Sequence, residues 1–92
     1  MGVIIPDSMA VIDEEAFMNC WVLTDVVLPD TIQILYDNCF AGCTALKEIT
    51  LPESVTSIAT TAFADCKNIQ VSYRGNIYDY SNIDKLYSTI NG

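Results

Sequence analysis

The stretch LPDTIQILYDNCFAGCTALKEIT, residues 28–50, decides the fold because its landmarks recur once before it and once after it. Its proline, its phenylalanine and its last cysteine stand at positions 29, 40 and 43. Each has counterparts 23 residues earlier and later: Pro6 and Pro52, Phe17 and Phe63, Cys20 and Cys66. A repeat of this length is typical of a solenoid, in which each unit covers the apolar face of its neighbour.

The three units, residues 5–27, 28–50 and 51–71, divide into the same segments. Each proline should turn the chain out of a short parallel strand, because proline lacks a backbone N–H and fixes φ. Alternating apolar residues predict such strands over residues 23–28 and 46–51. A second extended stretch should follow each corner, over residues 9–12, 32–35 and 55–58. One helical turn should then close each unit, over residues 14–19, 37–41 and 60–65, and stack the three phenylalanines as a ladder.

The end of the chain departs from the repeat. The third strand, over residues 69–73, is one residue shorter than its predecessor, and Arg74-Gly75-Asn76 replaces the proline. This predicts a tight hairpin to a short return strand. A capping-box-like start at residues 81–84, followed by apolar residues with helical spacing, predicts an amphipathic helix that covers the last unit. We therefore expect one domain over residues 1–92, with repeats over 3–73 and a hairpin, short strand and capping helix over 74–92.

The composition excludes a disordered tail and several classes of partner. Hydrophobic residues make up 51% of the chain, which excludes a disordered tail. The formal charge of -8 would repel nucleic acid and anionic membranes, and no apolar run is long enough for membrane insertion. Residues 3–6 already match the end of a repeat, so we expect this chain to be a fragment of a longer protein.

The candidate chemical groups each have a structural alternative. Cys20, Cys43 and Cys66 should stack too far apart for disulfides, so we interpret them as reduced, buried side chains. Cys39 and Cys43 form the best local candidate for a metal or redox pair, although Cys39 takes the position of a small packing residue. The acidic cluster over residues 13–15 could bind calcium or be a solvated turn. Without histidine, a phosphate loop or a nucleophile elbow, the sequence predicts no enzyme, and it predicts no cofactor.

The segments AFMNC (residues 16–20) and AFADC (residues 62–66), together with the L-P-[DE]-[ST] opening, resemble the BspA-like (Treponema-type) leucine-rich repeats. The resemblance implies an α/β leucine-rich-repeat-type solenoid of right-handed coil. It also implies an extracellular or cell-surface location in a bacterial parent protein, and a role in adhesion or protein binding. The family has no catalytic residue to transfer, and members share a scaffold rather than one ligand.

We therefore interpret the chain as a non-enzymatic protein-recognition scaffold at the C-terminal end of a repeat array. The alternative is a structural spacer or terminal cap whose parent has its function in another domain. The expected binding surface comprises Trp21, at a position that should face water, and residues on the outward face of the strands: Thr24, Asp25, Val27, Lys47, Glu48, Thr50, Gln70 and Ser72. Trp21 could be a binding anchor or could cover a neighbouring unit. The uncovered first unit could also mediate self-association through Ile5, Met9, Ile12 and Phe17.

Overall fold

The computed structural model describes residues 1–92 and contains eight short strands followed by two helical segments. The strands are β1 (Gly2–Ile4), β2 (Val11–Ile12), β3 (Asp25–Val27), β4 (Ile34–Leu35), β5 (Glu48–Leu51), β6 (Ser57–Ile58), β7 (Gln70–Tyr73) and β8 (Asn76–Asp79). A 3₁₀ turn (Tyr80–Asn82) leads into the single α-helix, α1 (Ile83–Asn91). Neither helical segment has the length and hydrophobicity of a membrane-spanning helix.

Strand pairing follows the repeat. β1 pairs in parallel with β3, and β2, β4 and β6 form one parallel sheet. The partners stand one unit apart in sequence, as Gly2 with Asp25 and Ile34 with Ser57. In the last parallel pair Glu48 lies opposite Gln70. The partners in that pair therefore stand one residue closer in sequence than those of the other parallel pairs, although β5 and β7 have four residues each.

The strands that precede the prolines, together with the strands of the hairpin, are divided into two parts. β1 and β3 form one part, and β5, β7 and β8 form the other. β3 and β5 lie side by side, but no strand pairing joins them. β3 and β5 are therefore neighbours without a ladder of backbone hydrogen bonds between them, and this division forms the groove described below.

The phenylalanine ladder predicted from the spacing is confirmed. The rings of Phe17 and Phe40 are stacked with centroids 5.4 Å apart, and those of Phe40 and Phe63 with centroids 5.7 Å apart. Phe40 and Phe63 are fully buried, whereas Phe17 is only half-buried. The apolar axis is therefore continuous through all three units and open at the first.

The segments that carry these phenylalanines are not helical turns, which corrects the prediction for residues 14–19, 37–41 and 60–65. They are successive tight turns in which alternate N–H groups donate to the next unit, as Phe17 does to Cys39 and Phe40 to Ala62. Some of these donors have positive φ, among them Asn19, which donates to Ala41, and Gly42, which donates to Ala64. Asn19, Gly42 and Asp65 hold one such position in all three units, and a left-handed residue there stops the chain from continuing as a helix.

The core contains no polar side chain. The buried residues are all hydrophobic and, except for Ala41, form one cluster that extends from Ile5 to Tyr87. No buried side-chain nitrogen or oxygen lacks a hydrogen-bond partner. Any binding site for a polar ligand must therefore lie on the surface.

The predicted hairpin and covering helix are confirmed, with corrections to their ends. The turn between β7 and β8 contains only Arg74 and Gly75, both with positive φ. The capping box starts at Asp79, whose carboxylate accepts from the backbone of Ser81 and Asn82, rather than at Ser81. Asp79 is favoured there because its carboxylate also accepts from the Ser81 hydroxyl at 2.6 Å.

Helix α1 lies against the third unit as predicted. Ile83, Leu86 and Tyr87 are buried, and Ile90 packs at the edge of the core. The Asn91 side chain donates to the carbonyl of Ile58 at 2.7 Å and accepts from its N–H at 2.9 Å. The helix therefore takes the place that a fourth unit would occupy beside β6.

Candidate functional site

The strand face carries two rows of outward side chains, and the strand registers define their order. Side chains of alternate residues in a strand point to the same side of the sheet. One row runs through Gly2, Asp25, Glu48, Gln70 and Asp79, and the other through Ile4, Val27, Thr50, Ser72 and Ile77. Across the division, Asp25 and Glu48 are equivalent residues of consecutive units, as are Val27 and Thr50. The first row is polar and largely acidic, and the second is mostly apolar.

A groove of about 410 Å³ lies between β3 and β5. It is lined by Asp25, Val26, Val27, Leu28, Asp30, Glu48, Ile49, Thr50 and Pro52. Residues that point inward, such as Val26 and Ile49, line it together with residues that point outward. This mixture is expected of a gap between two strands. The division of the sheet therefore places a groove within the predicted binding surface.

A smaller depression of about 320 Å³ continues from the groove beside Lys47. It shares Asp25 and Glu48 with the groove and adds Thr24, Ala45 and Lys47. The Thr24 hydroxyl lies 2.9 Å from the Asp25 carboxylate and accepts from the Met1 amine at 3.0 Å. Thr24 is thus held by internal contacts, whereas Asp25 and Glu48 are exposed to solvent.

The structure brings together six of the nine residues expected from the sequence in the groove and its continuation: Thr24, Asp25, Val27, Lys47, Glu48 and Thr50. Gln70 and Ser72 lie on β7, beyond the groove, and Ser72 is half-buried rather than open. Trp21 does not line the groove; its side chain is 69% exposed and covers no part of the core.

Three residues of this surface were missed in the sequence. Asp30 lines the groove from the turn after Pro29. Asp79 and Ile77 extend the two rows because β8 pairs antiparallel with β7, placing them opposite Gln70 and Ser72. The hairpin signal at Arg74-Gly75 was the available clue, since a two-residue turn fixes the register of both strands.

The charges on this face have no basic partner within ion-pair distance. The only ion pair joins Arg74 and Glu53 at 3.9 Å, and both side chains are exposed. Hydrogen bonds from the hydroxyl and the N–H of Ser81 and the N–H of Asn82 hold the pKa of Asp79 below its usual value, despite slight desolvation. Asp79 therefore stays charged at the far end of the acidic row.

The cysteines are free and belong to the core rather than to a reactive site. The Cys43 thiol donates to the Phe17 carbonyl at 3.0 Å, and the Cys66 thiol to the Phe40 carbonyl at 2.9 Å. Burial raises the pKa of Cys66 to about 11 and that of Cys39 to about 12. The thiolate, which is the form that attacks or binds metal, is therefore disfavoured at both. No three ligand-type side chains converge as a metal site, at residues 13–15 or elsewhere.

Comparisons with known proteins agree with this architecture. The model of the BspA type leucine-rich repeat region, six copies, matches residues 2–86. A leucine-rich cell surface protein from Faecalibacterium prausnitzii superposes with a TM-score of 0.73 at 30% identity, over 90% of this chain and 27% of that one. A leucine-rich repeat protein from Bacteroides ovatus superposes with a TM-score of 0.57 at 30% identity, over 80% of this chain and 25% of that one. No curated protein matches.

This chain thus spans about a quarter of the length of either solved structure. The repeated A-F-x-x-C and L-P segments, the parallel pairing between units and the family match all lead to one assignment. The chain belongs to the BspA-type leucine-rich repeat family.

Proposed function

We propose that this chain is a non-enzymatic protein-recognition scaffold and part of a bacterial surface or secreted protein that acts in adhesion or protein binding. The observation that carries the proposal is the groove between β3 and β5, in which Asp25, Val27, Glu48 and Thr50 meet. It supports recognition of a protein segment, because polar and apolar side chains stand side by side on an extended, accessible face.

Three further features support this proposal over a small-molecule site. The groove is open along the sheet surface and continues into the depression beside Lys47. The core residues beneath the groove, Val26 and Ile49, are buried, so no deep pocket leads inward from the groove. Sites for small molecules are usually concave and enclose most of the ligand, and this face does not.

The proposal also covers the cellular location of the parent protein and the repeat organisation of this chain. One structural relative is described as a leucine-rich cell surface protein, which supports a surface location for the parent of this chain. We further propose that residues 1–92 form one domain of right-handed coil, with 23-residue repeats over 3–73 and the closing elements over 74–92. Cleavage of the parent protein by protease added to intact cells would test the location.

The binding proposal can be tested by screening the purified chain against an array of extracellular protein domains. Thr50→Trp would place a large ring over the groove and should abolish binding to any domain found. Ser57→Trp is the matched control, because Ser57 is exposed on β6, in the other sheet. Equal loss of binding in both variants, or in neither, would contradict the proposal.

A second role, as the terminal cap of an array, is favoured by a separate observation. Helix α1 buries Leu86 and Tyr87 against the third unit and bonds to Ile58 through Asn91. A cap of this kind shields the last apolar face from water. If the array screen finds no partner, and removal of residues 83–92 makes the protein aggregate, the capping role would be the better description.

A further inference from the structure

The acidic row on the strand face is not balanced by bases of this chain. Asp25 and Glu48 are exposed, face the same groove and form no ion pair. Asp30 adds a third carboxylate to the groove lining, and Lys47 is the single base nearby. Like charges in equivalent positions on one face disfavour an anionic partner and favour a cationic one.

The groove also offers backbone acceptors. The N–H of Ile5 donates to the carbonyl of Val27, and the N–H of Gln70 donates to that of Lys47. Because backbone groups along a strand alternate between its two edges, those of Val26 on β3 and of Glu48 and Thr50 on β5 face the groove instead. Lysine and arginine side chains carry only donors, so they can bond to both the carboxylates and these carbonyl oxygens.

The second row gives the partner an apolar side as well. The side chains of Val27 and Ile77 are 56% and 63% exposed, and Thr50 and Ser72 lie between them. Both rows follow the same direction across the strands, one beside the other. A segment that lies across the strands could therefore place basic side chains on one row and apolar side chains on the other.

From this arrangement we infer that the partner of the strand face is an extended protein segment in which basic and apolar residues alternate, with a basic side chain seated between Asp25 and Glu48. The inference rests on the proposed recognition function and names the chemistry of its partner. Charge complementarity of this kind sets specificity and the rate of encounter, and salt weakens it.

The probe is a short fluorescent peptide in which four lysines alternate with four valines. Three matched peptides replace the lysines with glutamine, the lysines with glutamate, or the valines with serine. Fluorescence anisotropy measures binding to the intact chain. The lysine–valine peptide should bind about tenfold more tightly than the glutamine or serine versions, and the glutamate version should not bind. Raising NaCl from about 50 mM to about 500 mM should remove most of this preference.

Two variants with the same change in charge locate the site. Asp25→Asn/Glu48→Gln should weaken binding of the lysine–valine peptide about tenfold and flatten its salt dependence. Asp13→Asn/Glu14→Gln neutralises two exposed acids outside the groove and should change binding less than twofold. Equal weakening by the two variants would overturn the inference, because attraction by net charge alone would then explain binding.

The remaining outcomes separate this inference from the proposed function. If the glutamine peptide binds as tightly as the lysine peptide and Thr50→Trp abolishes both, the face recognises protein segments without reading charge. The inference then fails and the proposed function stands. If no peptide binds, the inference is also overturned, and the domain array decides the proposed function by itself.

Discussion

Phe17 and Phe40 occupy the same position in consecutive units of the repeat, but their surroundings differ. Phe40 is stacked between Phe17 and Phe63 and is fully buried, whereas Phe17 has one stacking partner and is half-buried. Cys43 and Cys20 differ in the same way, since one is buried and the other half-buried. The two units share the same sequence motif, so the difference in burial comes from their neighbours. Phe40 has a unit on each side, whereas Phe17 has a unit on one side only.

The first unit also leaves an apolar hollow of about 180 Å³ at its open face. Its lining includes Ile5, Met9, Ile12 and Phe17, the residues expected to mediate self-association. In the second unit the equivalents of Met9, Ile12 and Phe17 are Ile32, Leu35 and Phe40, and all three are fully buried. Self-association through the open face stays a prediction, and sedimentation of the chain over a range of concentrations would test it.

The largest expected effect separates the two phenylalanines directly. Phe40→Ala should lower the free energy of unfolding by about 3–5 kcal/mol, because it leaves a cavity in the middle of the ladder. Phe17→Ala should cost about half as much, since Phe17 contacts a ring on one side only. Urea unfolding monitored by circular dichroism measures both. If both variants lost the same free energy of unfolding, the second stacking partner of Phe40 would contribute nothing to stability.

The next prediction concerns the end that is covered. Leu86 is fully buried under helix α1, so Leu86→Ala should cost about 3 kcal/mol. Thr89→Ala is the control on the exposed side of the same helix and should cost less than about 0.5 kcal/mol. Thermal unfolding of both variants gives the comparison. Similar melting temperatures for the two variants would show that packing of the helix adds little to the stability of the third unit. A covering helix and a neighbouring unit would then not be equivalent.

The sequence predicted those parts of the fold that follow from spacing. The constant interval between Phe17, Phe40 and Phe63 required equivalent contacts in each unit, and the ladder followed. The turns were predicted incorrectly because their small residues suited a helix. The clue was the recurrence of Asn19, Gly42 and Asp65, since asparagine, glycine and aspartate tolerate positive φ better than other residues.

The proposed binding surface was predicted less completely than the fold. Alternation along β3 and β5 correctly placed Asp25, Val27, Glu48 and Thr50 on the outward face. The division between these strands has no sequence signal, because a small separation of two backbones breaks their hydrogen bonds without changing the pattern of side chains. The groove therefore required coordinates, and so did the contribution of Ile77 and Asp79 from β8.

The third prediction tests the turns that join the first unit to the second. Gly42 has a φ of 73°, and a Cβ added there would collide with the side chain of Asn19. Gly42→Ala should therefore cost about 2–3 kcal/mol, of which about 1–2 kcal/mol is the left-handed conformation. Gly75→Ala isolates that part, because Gly75 has a φ of 84° and open space around it. Urea unfolding of both variants measures the difference.

A double variant shows whether the excess comes from contact between units. Asn19→Gly removes the side chain that the new methyl group would meet and leaves a residue that tolerates positive φ. Gly42→Ala in the Asn19→Gly background should then cost about as much as Gly75→Ala, close to 1–2 kcal/mol. If Gly42→Ala still costs more than Gly75→Ala in that background, the extra cost does not come from contact between the Asn19 side chain and residue 42.

The smallest expected effect is a dependence of stability on alkaline pH. Burial raises the pKa of Cys39 to about 12, against 9.0 for an ordinary thiol. A raised native pKa means that the unfolded chain loses its proton first as the pH rises. The stabilisation is therefore complete below pH 9 and is lost as the pH rises from 9 towards 12. Cys39 alone should lower the free energy of unfolding by about 1 kcal/mol between pH 9 and pH 10.

Cys39→Ala isolates this contribution, because Ala16 and Ala62 hold the same position in the first and third units. Cys66, with a pKa raised to about 11 by burial, and Tyr87, raised to about 12, remain in the variant and keep part of the slope. Urea unfolding at pH 9 and at pH 10 should therefore show a loss about 1 kcal/mol smaller in Cys39→Ala than in the parent chain. Identical slopes would mean that the Cys39 thiol ionises as readily in the folded chain as in the unfolded one. Water would then reach the second unit more easily than its position between two neighbouring units suggests. The difference between the first and second units would be limited to the burial of their phenylalanines.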